Sequence, residues 1–220
     1  MARIDPVAPE ALSTELKQLL DSRPPYNIYR ILANAPTALP GFVQLAGALL
    51  TQGEIDPQLR EMVILRVGAH CRSDYEVHQH LRLARHVGVS EARIRKALDI
   101  EGRLSETPTE LEDLMLAFTD SVVRSVKAPT SQFDALRQHL SPRGMTELLL
   151  TIGTYMMVSR VLENLEVEIE GDAIDISAKA FYPDSAQAPP SGPLPGSKTP
   201  CGGGRAFEEG ERQAQDGGTC

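Results

Sequence analysis

Three side chains in this 220-residue chain have the types and spacing for proton transfer: Glu61, Glu76 and His80, all within residues 56–88, DPQLREMVILRVGAHCRSDYEVHQHLRLARHVG. Glu76 and His80 stand at i and i+4. On a helix that spacing puts them one turn apart on a single face, where a carboxylate and an imidazole can share a proton. Glu61 sits in a run with Leu59, Met62, Val63, Leu65 and Val67, and Arg66 shares it. A charge inside such a run needs a partner or a task. Tyr75, next to Glu76, is placed to line any pocket beside the pair, although core packing would explain a tyrosine there equally well.

Two consecutive helices must position these groups. The first opens with Asp56 as N-cap and Pro57 at the first helical position, where a missing N–H is harmless. The second opens at Ser73, and Ser73-x-x-Glu76 has the form of a capping box, which offers Glu76 a purely structural role. Gly88 closes this helix as a C-cap. His70 and His78 flank the break between the helices, but no compact ligand spacing such as H-E-x-x-H is present, so no metal is expected.

The remaining pattern is helical too. Residues 10–22, 27–35 and 40–50 read as helices separated by Pro24, Pro25, Pro36 and Pro40. Ser90 caps a helix over 91–98. A polar stretch with Thr107, Pro108 and Thr109 leads into a helix over 111–127, a short one spans 131–139, and Ser141-Pro142 opens a long one to about 168. Period-two alternation is confined to 166–176, so the fold class is all-α. A short internal echo links Ile55-Asp56-Pro57 with Leu140-Ser141-Pro142. At that offset Val63-Ile64-Leu65 overlies Leu148-Leu149-Leu150 and Gly68 overlies Gly153, which suggests a helical repeat whose second copy lacks the chemistry.

Composition narrows the function classes. With 41% hydrophobic residues and mean hydropathy of −0.21, the chain has the makings of a soluble domain with one large core. The most apolar run, 147–162, contains Thr151, Thr154, Ser159 and Arg160 and falls short of the roughly 20 residues a spanning helix needs. A formal net charge of −8 argues against nucleic acid or anionic lipid as partners. The N-terminus lacks the layout of a signal peptide, which points to a cytoplasmic location. Three cysteines, Cys71, Cys201 and Cys220, form no framework, and Cys71 reads as a small buried hydrophobe. Residues 1–24 read as an N-terminal helix and linker, 25–182 as the helical domain, and 183–220, rich in Pro and Gly, as a disordered tail.

The phrase Ser73-Asp74-Tyr75-Glu76-Val77-His78-Gln79-His80, with Glu61 before it and Leu83-Ala84-Arg85-His86-Val87-Gly88-Val89-Ser90 after it, resembles the carboxymuconolactone decarboxylase / alkyl hydroperoxidase D superfamily. Asn27-Ile28-Tyr29-Arg30-Ile31-Leu32-Ala33 and Pro40-Gly41-Phe42 extend the likeness over roughly residues 25 to 170. The resemblance implies an all-helical bundle assembling as a trimer or hexamer, with sites near subunit contacts. In the peroxidase branch a Cys-x-x-Cys-x-x-x-His motif works with an upstream glutamate. Here those positions fall on Ser73, Glu76, His80 and Glu61, so the dithiol is absent. In the decarboxylase branch a glutamate four residues before the histidine is usual, as Glu76 is here, whereas Glu61 stands where that branch has a small polar residue.

The expectation is a cofactor-free carbon–carbon lyase that decarboxylates a small anionic lactone or a β-keto or phenolic acid. His80 would be the general acid/base and Glu76 and Glu61 its partners. Arg66, Arg72 and Arg82, near in sequence, are candidates for holding the substrate carboxylate, with Tyr75 and Ser73 as further contacts. Two other readings are a peroxidase-like enzyme working through Cys71 and a non-catalytic helical binding protein.

Overall fold

The computed structural model describes residues 2–102 and 110–170. A 3₁₀ turn at Pro9–Ala11 is followed by α1 (Thr14–Asp21), α2 (Asn27–Leu32), α3 (Leu39–Thr51), α4 (Pro57–Cys71), α5 (Asp74–His86), α6 (Glu91–Leu98), α7 (Leu111–Ser125), α8 (Thr130–Leu136) and α9 (Pro142–Leu165). There is no strand among the described residues, so the fold is all-α. The 183–220 segment, Cys201 and Cys220, the Thr107–Thr109 stretch and most of the alternating run lie outside the described residues.

The core is organised around α4, in which every residue from Arg60 to Gly68 is buried. A helix covered on all sides is a core helix, and α5, α6, α7 and α9 pack around it. Val63, Ile64 and Val67 meet Leu114 and Phe118 of α7 and Leu148, Ile152 and Tyr155 of α9. Met62 and Leu65 meet Ala84 of α5, Ile94 and Ala97 of α6, and Leu116. Burying each such aliphatic side chain stabilises the fold by roughly 1.5–3 kcal/mol. Leu59, expected in the core, is only partly buried. The first helix, α1, forms one apolar cluster with α2 and α3 through Leu16, Ala33, Leu39 and Val43.

The corner between α4 and α5 fixes the site. Asp56 caps α4 through Gln58 N–H at 2.9 Å and Leu59 N–H at 3.2 Å, beside Pro57. At the other end Arg72 takes a left-handed conformation, φ 53° and ψ 40°, and the N–H groups of Arg72 and Ser73 return to the carbonyls of Ala69 and Gly68 at 3.1 and 3.0 Å. This is a Schellman closure made without glycine. It overturns the expected capping box, because the Ser73 N–H that Glu76 would have accepted already bonds Gly68. The Ser73 hydroxyl caps nothing and is buried without a hydrogen-bond partner. The Glu76 side chain is left for other work.

The echo between the two halves is structural in part. α4 and α9 pack against each other. Each opens on a polar N-cap with proline behind it, and each closes with a left-handed residue, since Glu166 has φ 49° and Val167 N–H reaches Leu162 O at 3.0 Å. The glycines differ. A Cβ on Gly68 would meet Val77 Cγ2 at 3.2 Å and Glu76 Cβ at 3.4 Å, whereas a Cβ on Gly153 would meet nothing within 4 Å beyond its own helix backbone. Gly153 is therefore not a packing glycine in this chain.

Of the arginines expected to hold substrate, Arg66 is structural. Its Nε and Nη2 donate to Asp120 of α7 at 2.6 and 2.7 Å, and its Nη1 donates to the carbonyls of Lys96 and Asp99 at the end of α6 at 3.2 and 2.6 Å. It closes orphan helix carbonyls and ties three helices together. His70 joins it on Asp120 at 2.7 Å.

Candidate active site

Glu61, Glu76 and His80 converge. α4 supplies Glu61, which is fully buried, and α5 supplies the other two, with Glu76 5% and His80 6% exposed. His80 Nδ1 lies 2.7 Å from Glu61 Oε2, and His80 Nε2 lies 3.5 Å from Glu76 Oε2. A carboxylate only accepts, so Nδ1 carries the hydrogen and donates to Glu61, leaving Nε2 turned toward Glu76. Arg60, also buried, approaches the other oxygen of Glu61 at 3.3 Å. Tyr155 of α9 sets its ring edge-on to the imidazole, with centroids 4.8 Å apart. The imidazole is thus fixed on three sides.

The charges of the row oppose one another. Burial pushes the Glu76 carboxyl up, and although His80 opposes this and Glu61 adds to it, the result is a value of about 7. Burial disfavours the charged form of His80, yet the charge and hydrogen bond of Glu61 and the charge of Glu76 outweigh it and the pKa is raised. Glu76 Oε2 has no hydrogen-bond partner: its distance to Nε2 is that of an ion pair too long to bond. A carboxyl near neutrality beside an imidazole is suited to moving one proton in either direction.

These groups open on a cavity of about 60 Å³ walled by Tyr26, Ile28 and Tyr29 of α2 and its approach, Phe42, Ala46 and Leu50 of α3, Tyr75, Glu76, Gln79, His80 and Leu83 of α5, and Thr154, Tyr155 and Val158 of α9. Tyr75 is in the wall, and its hydroxyl accepts from Ile28 N–H at 3.2 Å. The other expected contacts lie elsewhere. Arg72 is an exposed helix-closing residue, Ser73 is locked in the α4–α5 corner, and Arg82, next to Tyr26, is not among the lining residues. Cys71 packs against the main core, where burial pushes its thiol up. A redox cysteine needs the opposite shift. Among the described residues no cluster of His, Cys, Asp or Glu is arranged to hold a metal ion.

Sequence reasoning does not reach Arg60, Gln79, Tyr155 or the two tyrosines Tyr26 and Tyr29. Signals exist for two of them: Arg60 adjoins Glu61 in the apolar run, and Tyr155 is the one aromatic residue of α9. Arg23 is a further such residue; its guanidinium lies 3.9 Å from the place of a Cβ on Gly47, and its charge acts on Tyr29 of the wall.

The all-helical frame that holds this buried row is shared with known proteins. The carboxymuconolactone decarboxylase family model matches residues 36–120, which contain all three groups. A peroxidase-related protein of Ralstonia eutropha, an alkylhydroperoxidase AhpD core, superposes with TM-score 0.65 at 19% identity, over 77% of this chain and 92% of that one. A protein of unknown function from Agrobacterium tumefaciens, proposed as an antioxidant-defence AhpD, gives 0.57 at 21% identity over 64% and 96%. A cysteine-to-alanine form of the debrominase Bmp8 in complex with 2,3,4-tribromopyrrole gives 0.62 at 15% identity over 78% and 95%. At these identities the likeness is one of fold. A comparison with curated proteins gives no match. The family model thus covers the α4–α5 part of the chain that carries the row, and the fold is that of AhpD-like structures.

Proposed function

We propose that this protein is a cofactor-free lyase that decarboxylates a small carboxylated lactone or a β-keto or phenolic acid. The observation that carries this reading is the buried row in which Glu61 holds His80 Nδ1 and leaves Nε2 facing Glu76 at the wall of an apolar cavity. In the proposed reaction the bond between the substrate carbon and its carboxylate breaks, carbon dioxide leaves, and the electron pair passes into the adjacent carbonyl or ring. His80 acts as the imidazolium, with Nδ1–H on Glu61; its Nε2 proton passes to that carbon, leaving the neutral ring to regain a proton from water, with Glu76 as the near partner. A dry, apolar wall favours loss of a charged carboxylate, and the row supplies the proton where negative charge develops.

The test is carbon dioxide release from a panel of carboxylated lactones, β-keto acids and phenolic acids, by wild type and His80→Gln side by side. Release that falls by about 10²–10⁴-fold in the variant supports the assignment. Equal release by both proteins removes His80 from the chemistry.

A further inference from the structure

The chain that leaves α9 packs against residues of the cavity wall. Val167 is buried with Tyr26, Ile28 and Tyr75, and the carbonyl of Glu168 accepts from Asn27 Nδ2 at 3.0 Å. Two residues on, the Glu170 carboxylate receives three donors: the Tyr75 hydroxyl at 2.5 Å, Gln79 Nε2 at 2.6 Å, and the backbone N–H of Asn27. Tyr75 and Gln79 are themselves walls of the cavity that Glu76 and His80 line. On α5 they form one i,i+4 pair and Glu76 and His80 form the next, so the donor pair and the acid pair lie side by side.

We propose that the Tyr75 hydroxyl, the Gln79 amide and the Asn27 N–H are the recognition site for a carboxylate of the substrate, and that Glu170 occupies it as an internal stand-in which the substrate displaces. The choice of ligand class rests on the lyase reading; the donor geometry does not. Ile28 N–H bonds the Tyr75 oxygen, which leaves the phenolic hydrogen free to point at an anion. Gln79 Oε1 is buried with no hydrogen-bond partner, an acceptor in reserve for a hydroxyl on the ligand. The three groups that hold Glu170 are neutral, so a competing carboxylate gains the same bonds without having to break an ion pair there. Size points the same way. The cavity holds about 60 Å³, whereas a benzene-sized guest takes a space of about 150 Å³. A ring-bearing substrate therefore enters only if part of the wall moves, and Glu170 is bonded to two wall residues, Tyr75 and Gln79.

Acetate, the smallest carboxylate suited to a titration, is the probe. Thermal unfolding and amide NMR titrations of the full chain are run in sodium acetate against sodium chloride at equal ionic strength. Glu170→Ala empties the site and Glu170→Gln keeps its shape without the charge. In both variants acetate is expected to bind about tenfold more tightly than in wild type, with shifts at Asn27 and Gln79, and adding Tyr75→Phe to Glu170→Ala abolishes the gain. Equal acetate binding by wild type and variants, or none by variants that retain their helical signal, overturns the proposal and leaves Glu170 as a structural latch. Because the readout needs no turnover, acetate binding without carbon dioxide release from any panel member would retain the site and remove the reaction.

Discussion

A histidine with a carboxylate at each ring nitrogen can store a proton or pass one on, and the environment of each carboxylate decides which. Glu61 is hydrogen-bonded to Nδ1 and in contact with Arg60, so it holds the imidazole still. Glu61→Gln is expected to lower the His80 pKa, read by NMR titration of the ring, and to reduce turnover. Glu76 is held less firmly, and its pKa of about 7 stands above the ordinary 4.5. In that interval the folded state binds the extra proton, so the stabilisation is whole below about 4.5 and is lost as pH climbs through about 7. His80, also raised, has the same sign: its contribution is present below 6.5 and lost as pH rises through its folded value. The unfolding free energy from urea titrations should therefore fall between pH 5 and 8, by an amount on the order of 2 kcal/mol, and Glu76→Gln should flatten that fall. A profile as steep in the variant as in wild type would mean that the row does not titrate as a unit. Glu76 and His80 were legible in the sequence because i,i+4 spacing is a property of one helix. Their union with Glu61 depends on the packing of two helices, which spacing alone does not encode. The arginines failed as predictions for a related reason: proximity in sequence put Arg66 and Arg72 near the site, but helix geometry turned one toward Asp120 and the other toward solvent.

At the scale of elements, the site depends on how closely α5 approaches α4, and Gly68 sets that approach. Gly68→Ala would add helix propensity worth about 1 kcal/mol, but its Cβ meets Val77 Cγ2 and Glu76 Cβ at 3.2 and 3.4 Å, neither of them a flexible tip. The helices are expected to part by a few tenths of an ångström. Turnover should fall by about tenfold or more while stability changes by about 1–2 kcal/mol, measured as kcat beside a urea titration of the same preparation. Arg66→Leu acts on another joint. It strips Asp120 of its bidentate partner and uncaps α6, so a loss of about 3–5 kcal/mol is expected in urea. The starts of α4, α6 and α9 are legible in the sequence, because Asp56-Pro57, Ser90 and Ser141-Pro142 carry their caps in the residue type. The ends are not. Arg72 and Glu166 close helices in the left-handed region usually filled by glycine or asparagine, and nothing in either residue announces it. The same gap produced the mistaken capping box, since the Schellman bond to Gly68 had already claimed the Ser73 N–H.

On the scale of the whole molecule, α9 separates two environments. One face sends Thr154, Tyr155 and Val158 to the cavity, while the opposite face leaves Leu149, Leu150 and Met157 exposed at 41, 44 and 46%, with Gly153 bare between them. From sequence the run 147–162 reads as uniformly apolar, and hydropathy could not say that half of it would face out. Leu149, Leu150 and Met157, at i, i+1 and i+8 with Gly153 at i+4, share one helix face and make a band that a monomer rarely leaves uncovered. A second copy of the chain is the occupant to test, because the superfamily resemblance implies a trimer or hexamer. In sedimentation velocity at micromolar concentration the protein is expected to run well above its 24.0 kDa chain mass. Met157→Lys and Leu150→Glu place charges in the band without touching the core, so each should shift the boundary toward the monomer while the helical circular dichroism is unchanged. A wild type that already sediments as a monomer, or a band variant that stays assembled, would assign subunit contact to another surface and leave the apolar face of α9 to a different partner.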